Sequence, residues 1–112
     1  MKIMLFGKIF KIRDALLTVM RNVGHYEALN VEDKYTVWAE DAEAAAVHAN
    51  NEKKDQAIRG TVDYFTKEDA DENVDKIQEA LRKAEGVTFA LNSVQTEEET
   101  GYIHFEWLWE VS

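Results

Sequence analysis

The stretch Ile103-His-Phe-Glu-Trp-Leu-Trp-Glu-Val111 decides the fold. Ile103, Phe105, Trp107, Trp109 and Val111 fall on one side of an extended chain, while His104, Glu106 and Glu110, with Tyr102 just before them, fall on the other. This period of two marks a strand with one buried and one wetted face. Two tryptophans alternating with Ile103, Phe105 and Val111 read first as core. Immediately upstream, Thr96 to Gly101 is too acidic to bury and reads as the link to another strand, Val87 to Val94, apolar at Val87, Phe89 and Leu91.

Before that strand, Val74, Ile77, Leu81 and Ala84 form a helical stripe. Asp69 with Glu72 three residues on has the spacing of a capping box, and Gly86 stands where a helix ends in a left-handed residue. Further back, Ile58, Gly60, Val62 and Tyr64 alternate with Arg59, Thr61 and Asp63, a half-buried strand in which Gly60 marks a bulge or a close backbone approach. Ala44 to Ala49 reads as the strand that pairs with it across a turn at Asn50 to Lys53, and Tyr35 to Ala39 as the first of the three. Leu5, Ile9, Ile12, Leu16, Val19 and Val23 step by four and three, predicting an amphipathic helix that ends near Gly24. The reading is an α+β fold, two helices packed on a mostly antiparallel sheet in the order α-β-β-β-α-β-β, with residues 1-112 as one domain.

Of the 112 residues, 46% are hydrophobic and 31% charged, which excludes a disordered segment. A formal net charge of −9 repels a phosphate backbone, so neither nucleic acid nor an anionic membrane surface is an expected partner. Residues 1 to 26 carry net +4 (Lys2, Lys8, Lys11, Arg13 and Arg21 against Asp14), leaving −13 for the remainder. The absence of cysteine excludes disulfides and thiolate chemistry and points to folding in the cytoplasm. No run approaches the roughly 20 apolar residues of a membrane span, and no secretory segment is expected.

Candidate chemistry is thin. His25, His48 and His104 lie more than twenty residues apart, without the spacing of a metal-binding helix. The run Glu97, Glu98, Glu99 reads as a wet loop rather than a shielded general acid. The five glycines are isolated, and Ser93 and Ser112 lack the glycine-flanked elbow of a hydrolase. No catalytic residue, metal or cofactor is therefore expected. The aromatic face of the last strand, with His104 and Glu106 on its other side, leaves a small-ligand binding domain or an enzyme as the alternative.

Three stretches matter together: Gly60-Thr-Val-Asp-Tyr-Phe-Thr-Lys67, Leu91-Asn-Ser-Val-Gln95 and Gly101-Tyr-Ile-His-Phe-Glu-Trp-Leu-Trp-Glu-Val111. They resemble a phage or prophage minor tail protein. The order of elements, over nearly the whole chain, resembles the tail terminator (tail completion) proteins of long-tailed phages, the lambda-type family. That resemblance implies a small α+β structural subunit with no active site. It forms a ring, commonly a hexamer, that caps the tail tube, stops its polymerisation and meets the head connector. The implied partners are the protein itself, the tail tube protein and a head-completion or connector protein. The implied location is the host cytoplasm during assembly and then the virion tail.

Two candidate interfaces follow from the residues. Ala44 to Lys54 has little bulk to anchor a core strand, so Ala44, Ala46, Asn50, Asn51 and Lys53 are expected on an exposed edge or arm. Lys8, Lys11 and Arg13 lie off the apolar stripe of the first helix and are expected to show positive charge outward.

Overall fold

The structure, a computed structural model, describes residues 5–44 and 56–112. Helix α1 spans Leu5–Leu17 and helix α2 Asn73–Lys83, with strands β1 (Val23–His25), β2 (Lys34–Glu43), β3 (Ile58–Thr66), β4 (Val87–Thr96) and β5 (Ile103–Val111). The architecture is the α+β one read from the sequence, and the five strands lie in the order β1-β2-β3-β5-β4. Among the described residues only the short β1–β2 pair is parallel. Both helices cover one face, where Ile9, Ile12 and Leu16 of α1 and Ile77 and Leu81 of α2 are fully buried against Trp38, Val62, Trp107 and Trp109. Each fully buried aliphatic contributes roughly 1.5–3 kcal/mol.

The identities of the first strands differ from the reading. α1 stops at Leu17, where the Thr18 hydroxyl donates to the Ala15 carbonyl at 2.6 Å. A Ser/Thr hydroxyl that satisfies a terminal carbonyl offers the backbone a way out of the helix. Val23 and Gly24 therefore belong to β1, which is the first strand. Gly24 is required there by a close approach, since a Cβ on it would lie 2.0 Å from the Glu27 carbonyl oxygen.

β2 does not break at Glu40: it runs on to Glu43, past a bulge at Asp41 between the pairs Glu40–Gly60 and Ala42–Arg59. Of the expected strand Ala44 to Ala49, only Ala44 is among the described residues, and it lies just past the end of β2; 45–49 and the expected turn at 50–53 lie outside them. The close approach expected at Gly60 is present. A Cβ there would lie 2.1 Å from the Ala39 carbonyl oxygen and 2.3 Å from Cζ2 of Trp109.

The start of α2 is also corrected. Neither Asp69 nor Glu72 caps it through a side chain; the Asn73 N–H donates to Oδ1 of Asp71 at 2.9 Å. Ala70 adopts φ +55° just before, a left-handed conformation that costs a non-glycine residue energy and turns the chain so that Asp71 points under the helix end. Gly86 closes the helix region with φ +77°, as read.

Candidate functional site: the open face and the free edge of the sheet

Alternation along the strands leaves one face of the sheet without helices, and the register brings particular side chains together on it. β2–β3 pairing sets Tyr35 opposite Phe65, and β3–β5 pairing sets Phe65 opposite His104 and Asp63 opposite Glu106. The rings stack in that order: Tyr35 on Phe65 at 4.6 Å between centroids and Phe65 on His104 at 4.2 Å. Tyr102 stands edge-on to both Tyr35 and Phe65. Its hydroxyl donates to the Glu32 carbonyl at 2.6 Å, and the Lys67 ammonium lies 4.9 Å above its ring.

Beside this stack, Nε2 of His104 lies 2.6 Å from Oδ1 of Asp63, with both side chains about one-fifth exposed (21% and 19%). Burial pushes the Asp63 carboxyl above its ordinary value, with neighbouring Glu106 acting in the same sense and the bond to His104 opposing. Asn92 fixes Glu106 from the edge strand, its amide donating at 2.7 Å. The cluster is thus an imidazole held by one carboxylate on a half-covered aromatic base. It offers a positioned proton carrier, but among the described residues no group of three His, Cys, Asp or Glu side chains has the arrangement of a metal site.

Toward the other end of the same face is a groove of about 450 Å³, lined by Arg59, Leu108, Ala90 and Glu110. The Arg59 and Asp41 charges meet at its rim, 3.3 Å apart.

A second histidine pair lies on β1, at the opposite edge. His25 is stacked between Tyr26 and Trp38, 3.8 Å from each ring, and Nε2 lies 2.7 Å from Oε1 of Glu40. The Tyr26 hydroxyl also donates to Glu40, and Tyr26 holds φ +72° to reach it. Burial by itself would raise the Glu40 carboxyl, but the bonds from Tyr26 and His25 outweigh it and hold it below its ordinary value. This arrangement locks a short edge strand.

The free edge on the other side is β4. Its ten residues, Val-Thr-Phe-Ala-Leu-Asn-Ser-Val-Gln-Thr, include no ionisable group in a chain that is 31% charged. Edge strands are ordinarily protected by charge, proline or shortness. β4 has one such device, a bulge at Asn92 between the pairs Leu91–Trp107 and Ser93–Glu106.

The sequence-derived site residues fall differently from one another. Lys8 is a correction: it is 6% exposed, and its ammonium donates to the Gln56 carbonyl at 2.6 Å instead of pointing outward. It is carried in by its position between Leu5 and Ile9, where its long stem crosses the apolar layer and its head reaches the Gln56 carbonyl. Lys11 reaches the Glu85 carbonyl at 3.2 Å, and Arg13 lies over the Phe10 ring and bonds Asp14. Ala44 is buried and its N–H donates to the Ala57 carbonyl at 2.9 Å, so it continues the β2–β3 ladder rather than opening an edge. Ala46, Asn50, Asn51 and Lys53 lie outside the described residues.

Trp107 and Trp109, offered as a ligand face in the alternative reading, are 0% and 1% exposed beneath the helices. The Trp107 indole N–H donates to Gln78 at 3.0 Å. The sequence reading missed Asp63, Phe65 and Tyr35 as companions of His104. The signal for two of them was present, since alternation with Val62 and Tyr64 puts Asp63 and Phe65 on the open face. Among known proteins, no family model matches this chain and no curated protein matches it. No helix among the described residues is long and apolar enough to cross a membrane.

Proposed function

We propose that the protein is a structural subunit of a phage or prophage tail, of the tail terminator kind. In this reading it assembles with itself into a ring, commonly of six, that caps the tail tube and meets the head connector. It does so in the host cytoplasm and ends in the virion tail. One observation supports this best. The three stretches that carry the resemblance lie far apart in the chain, yet they fall on β3, β5 and β4, three neighbouring strands. The segments that look like a tail protein thus build one continuous half of the sheet, with an open face and a long uncharged edge. Surfaces of that kind serve association between subunits rather than turnover of a small molecule.

The acidic body suits a lumen through which DNA passes without being gripped. The test is to add purified protein to a polymerising tail tube protein of a long-tailed phage and to measure tube lengths by electron microscopy. Rings at one end and arrested growth are expected. Uncapped tubes that lengthen as they do without it refute the reading.

A further inference from the structure

We infer that two copies of this chain associate edge to edge through β4, antiparallel about a two-fold axis between Asn92 and Ser93. The inference goes beyond the tail reading and does not require it, because a closed ring needs a head-to-tail contact and a two-fold pairing is a separate, isologous one. It rests on the charge of the strand and on its register.

Two bodies of net charge −9 repel wherever their carboxylates approach. β4 is the one long edge where they need not, since it carries no charge across all ten residues. The other edge, β1, is only three residues long.

The register is set by the bulge. β5 pairing puts Phe89 and Leu91 on the helix-bearing face opposite Trp109 and Trp107, and puts Val94 and Thr96 on that same face opposite Phe105 and Ile103. Leu91 and Val94 are three positions apart, and in a regular strand they would point to opposite faces. The extra residue, Asn92, brings them to one. Both are left exposed there, 47% and 50%, because α2 covers only the earlier part of the strand.

An antiparallel second copy with its axis between Asn92 and Ser93 sets Leu91 against Val94, Phe89 against Thr96 and Ala90 against Gln95. Like faces meet at every pair. By symmetry the Leu91–Val94 contact occurs twice, so all four exposed side chains are covered at once, and two five-stranded sheets become one of ten strands. A strand whose only irregularity makes it complementary to itself favours a second copy over a foreign strand. The pairing also removes the edge that would otherwise template open-ended association.

The test is sedimentation velocity of the full chain over a range of concentrations, with two kinds of variant. The wild type is expected to populate a dimer. Leu91→Lys with Val94→Lys is expected to weaken it roughly a hundredfold or more, since two apolar contacts between four side chains become four ammonium groups facing one another across about 5 Å. The register is read by oxidation, which is clean in a chain without cysteine. An equimolar mixture of the single variants Leu91→Cys and Val94→Cys should cross-link, because opposed residues have Cα atoms about 4.5–5.5 Å apart, within disulfide reach. Leu91→Cys alone should not.

A wild type that stays monomeric throughout overturns the inference. So does a dimer of unchanged strength in the lysine variant, or equal cross-linking by Leu91→Cys alone. A ring that forms unchanged from a lysine variant whose wild-type parent shows no dimer sinks the pairing and leaves the tail reading standing. A β4 dimer that never caps a tube does the reverse.

Discussion

Replacing Asp71 by Ala should cost about 3 kcal/mol, more than any other single change at the helix-to-strand junctions. The carboxylate is 1% exposed. It accepts hydrogen bonds from the Tyr64 hydroxyl at 2.5 Å, the Thr66 hydroxyl at 2.7 Å and the Asn73 N–H at 2.9 Å, and the Lys34 ammonium lies 3.4 Å away. Truncation leaves two buried hydroxyls without this acceptor, at about 1 kcal/mol or more each, and removes a helix cap worth about 1. In a domain of this size that lowers the melting temperature by roughly 12–24 °C. Thermal and urea unfolding followed by circular dichroism at pH 7 measure it.

The pH dependence has a definite sign. Burial alone would raise the Asp71 carboxyl, but the Tyr64 and Thr66 hydroxyls, the Asn73 N–H and Lys34 outweigh it and leave it below its ordinary value. Such a group stabilises the fold above the ordinary carboxylate range, and the contribution is lost as pH falls through the depressed folded value. The gap between wild type and Asp71→Ala should therefore be full at pH 7 and should narrow below about pH 4. The Tyr64 hydroxyl, which burial and then Asp71 push up to about 12, stays protonated throughout and remains a donor. A loss under about 1 kcal/mol at pH 7, or a gap that does not narrow in acid, would refute the reasoning.

Gly60→Ala places a methyl group against the Ala39 carbonyl and the Trp109 ring, and it should destabilise by roughly 2–4 kcal/mol or abolish folding, read from the urea midpoint. Lys8→Gln should cost about 1.5 kcal/mol through its lost bond to Gln56, whereas Lys11→Gln with Arg13→Gln should move the melting temperature little; equal effects would contradict the placement of Lys8. Asp63 has a raised folded value, so its contribution is complete below the ordinary carboxylate range and fades as pH rises through that value. Asp63→Asn should thus gain on the wild type in urea midpoint as pH is raised out of that range, and a constant difference would count against it.

What could be read from the sequence was what depends on a residue and its near neighbours. The alternation in Ile103–Val111, the stripe Ile77–Leu81 and the turn at Gly86 each have a local cause, and each stands where it was read. Val23 failed because two causes compete at its spacing: it continues the four-and-three stripe of Leu16 and Val19, yet Gly24 behind it must meet the Glu27 carbonyl, a contact invisible before folding. Glu40 looked like a break because it is charged, but it continues β2 with partners on β1, His25 and Tyr26. The cap of α2 was missed by two residues since Asp71 is selected by Tyr64 and Thr66 on a different strand. His104 was read with Glu106 but without Asp63 and Phe65, because its register against those two is set across a connection that contains the whole of α2.

The same distinction separates the two kinds of surface. Clusters on the open face are settled within one copy: His104 by Asp63, Glu106 by Asn92, Tyr102 by Glu32. These three side chains have partners within the copy, and the four rings of the stack half-bury one another. β4 is the opposite case. Its outer N–H and C=O groups are those of an edge, and its two exposed apolar side chains are on one face only because Asn92 is inserted. Removing that residue would turn Leu91 or Val94 to the other face while leaving the strand's composition apolar and neutral. Deletion of Asn92 should therefore reduce association in proportion to lost facing, not lost hydrophobicity, and a deletion variant that still folds and associates as strongly as the wild type would show that stickiness, rather than register, governs the edge.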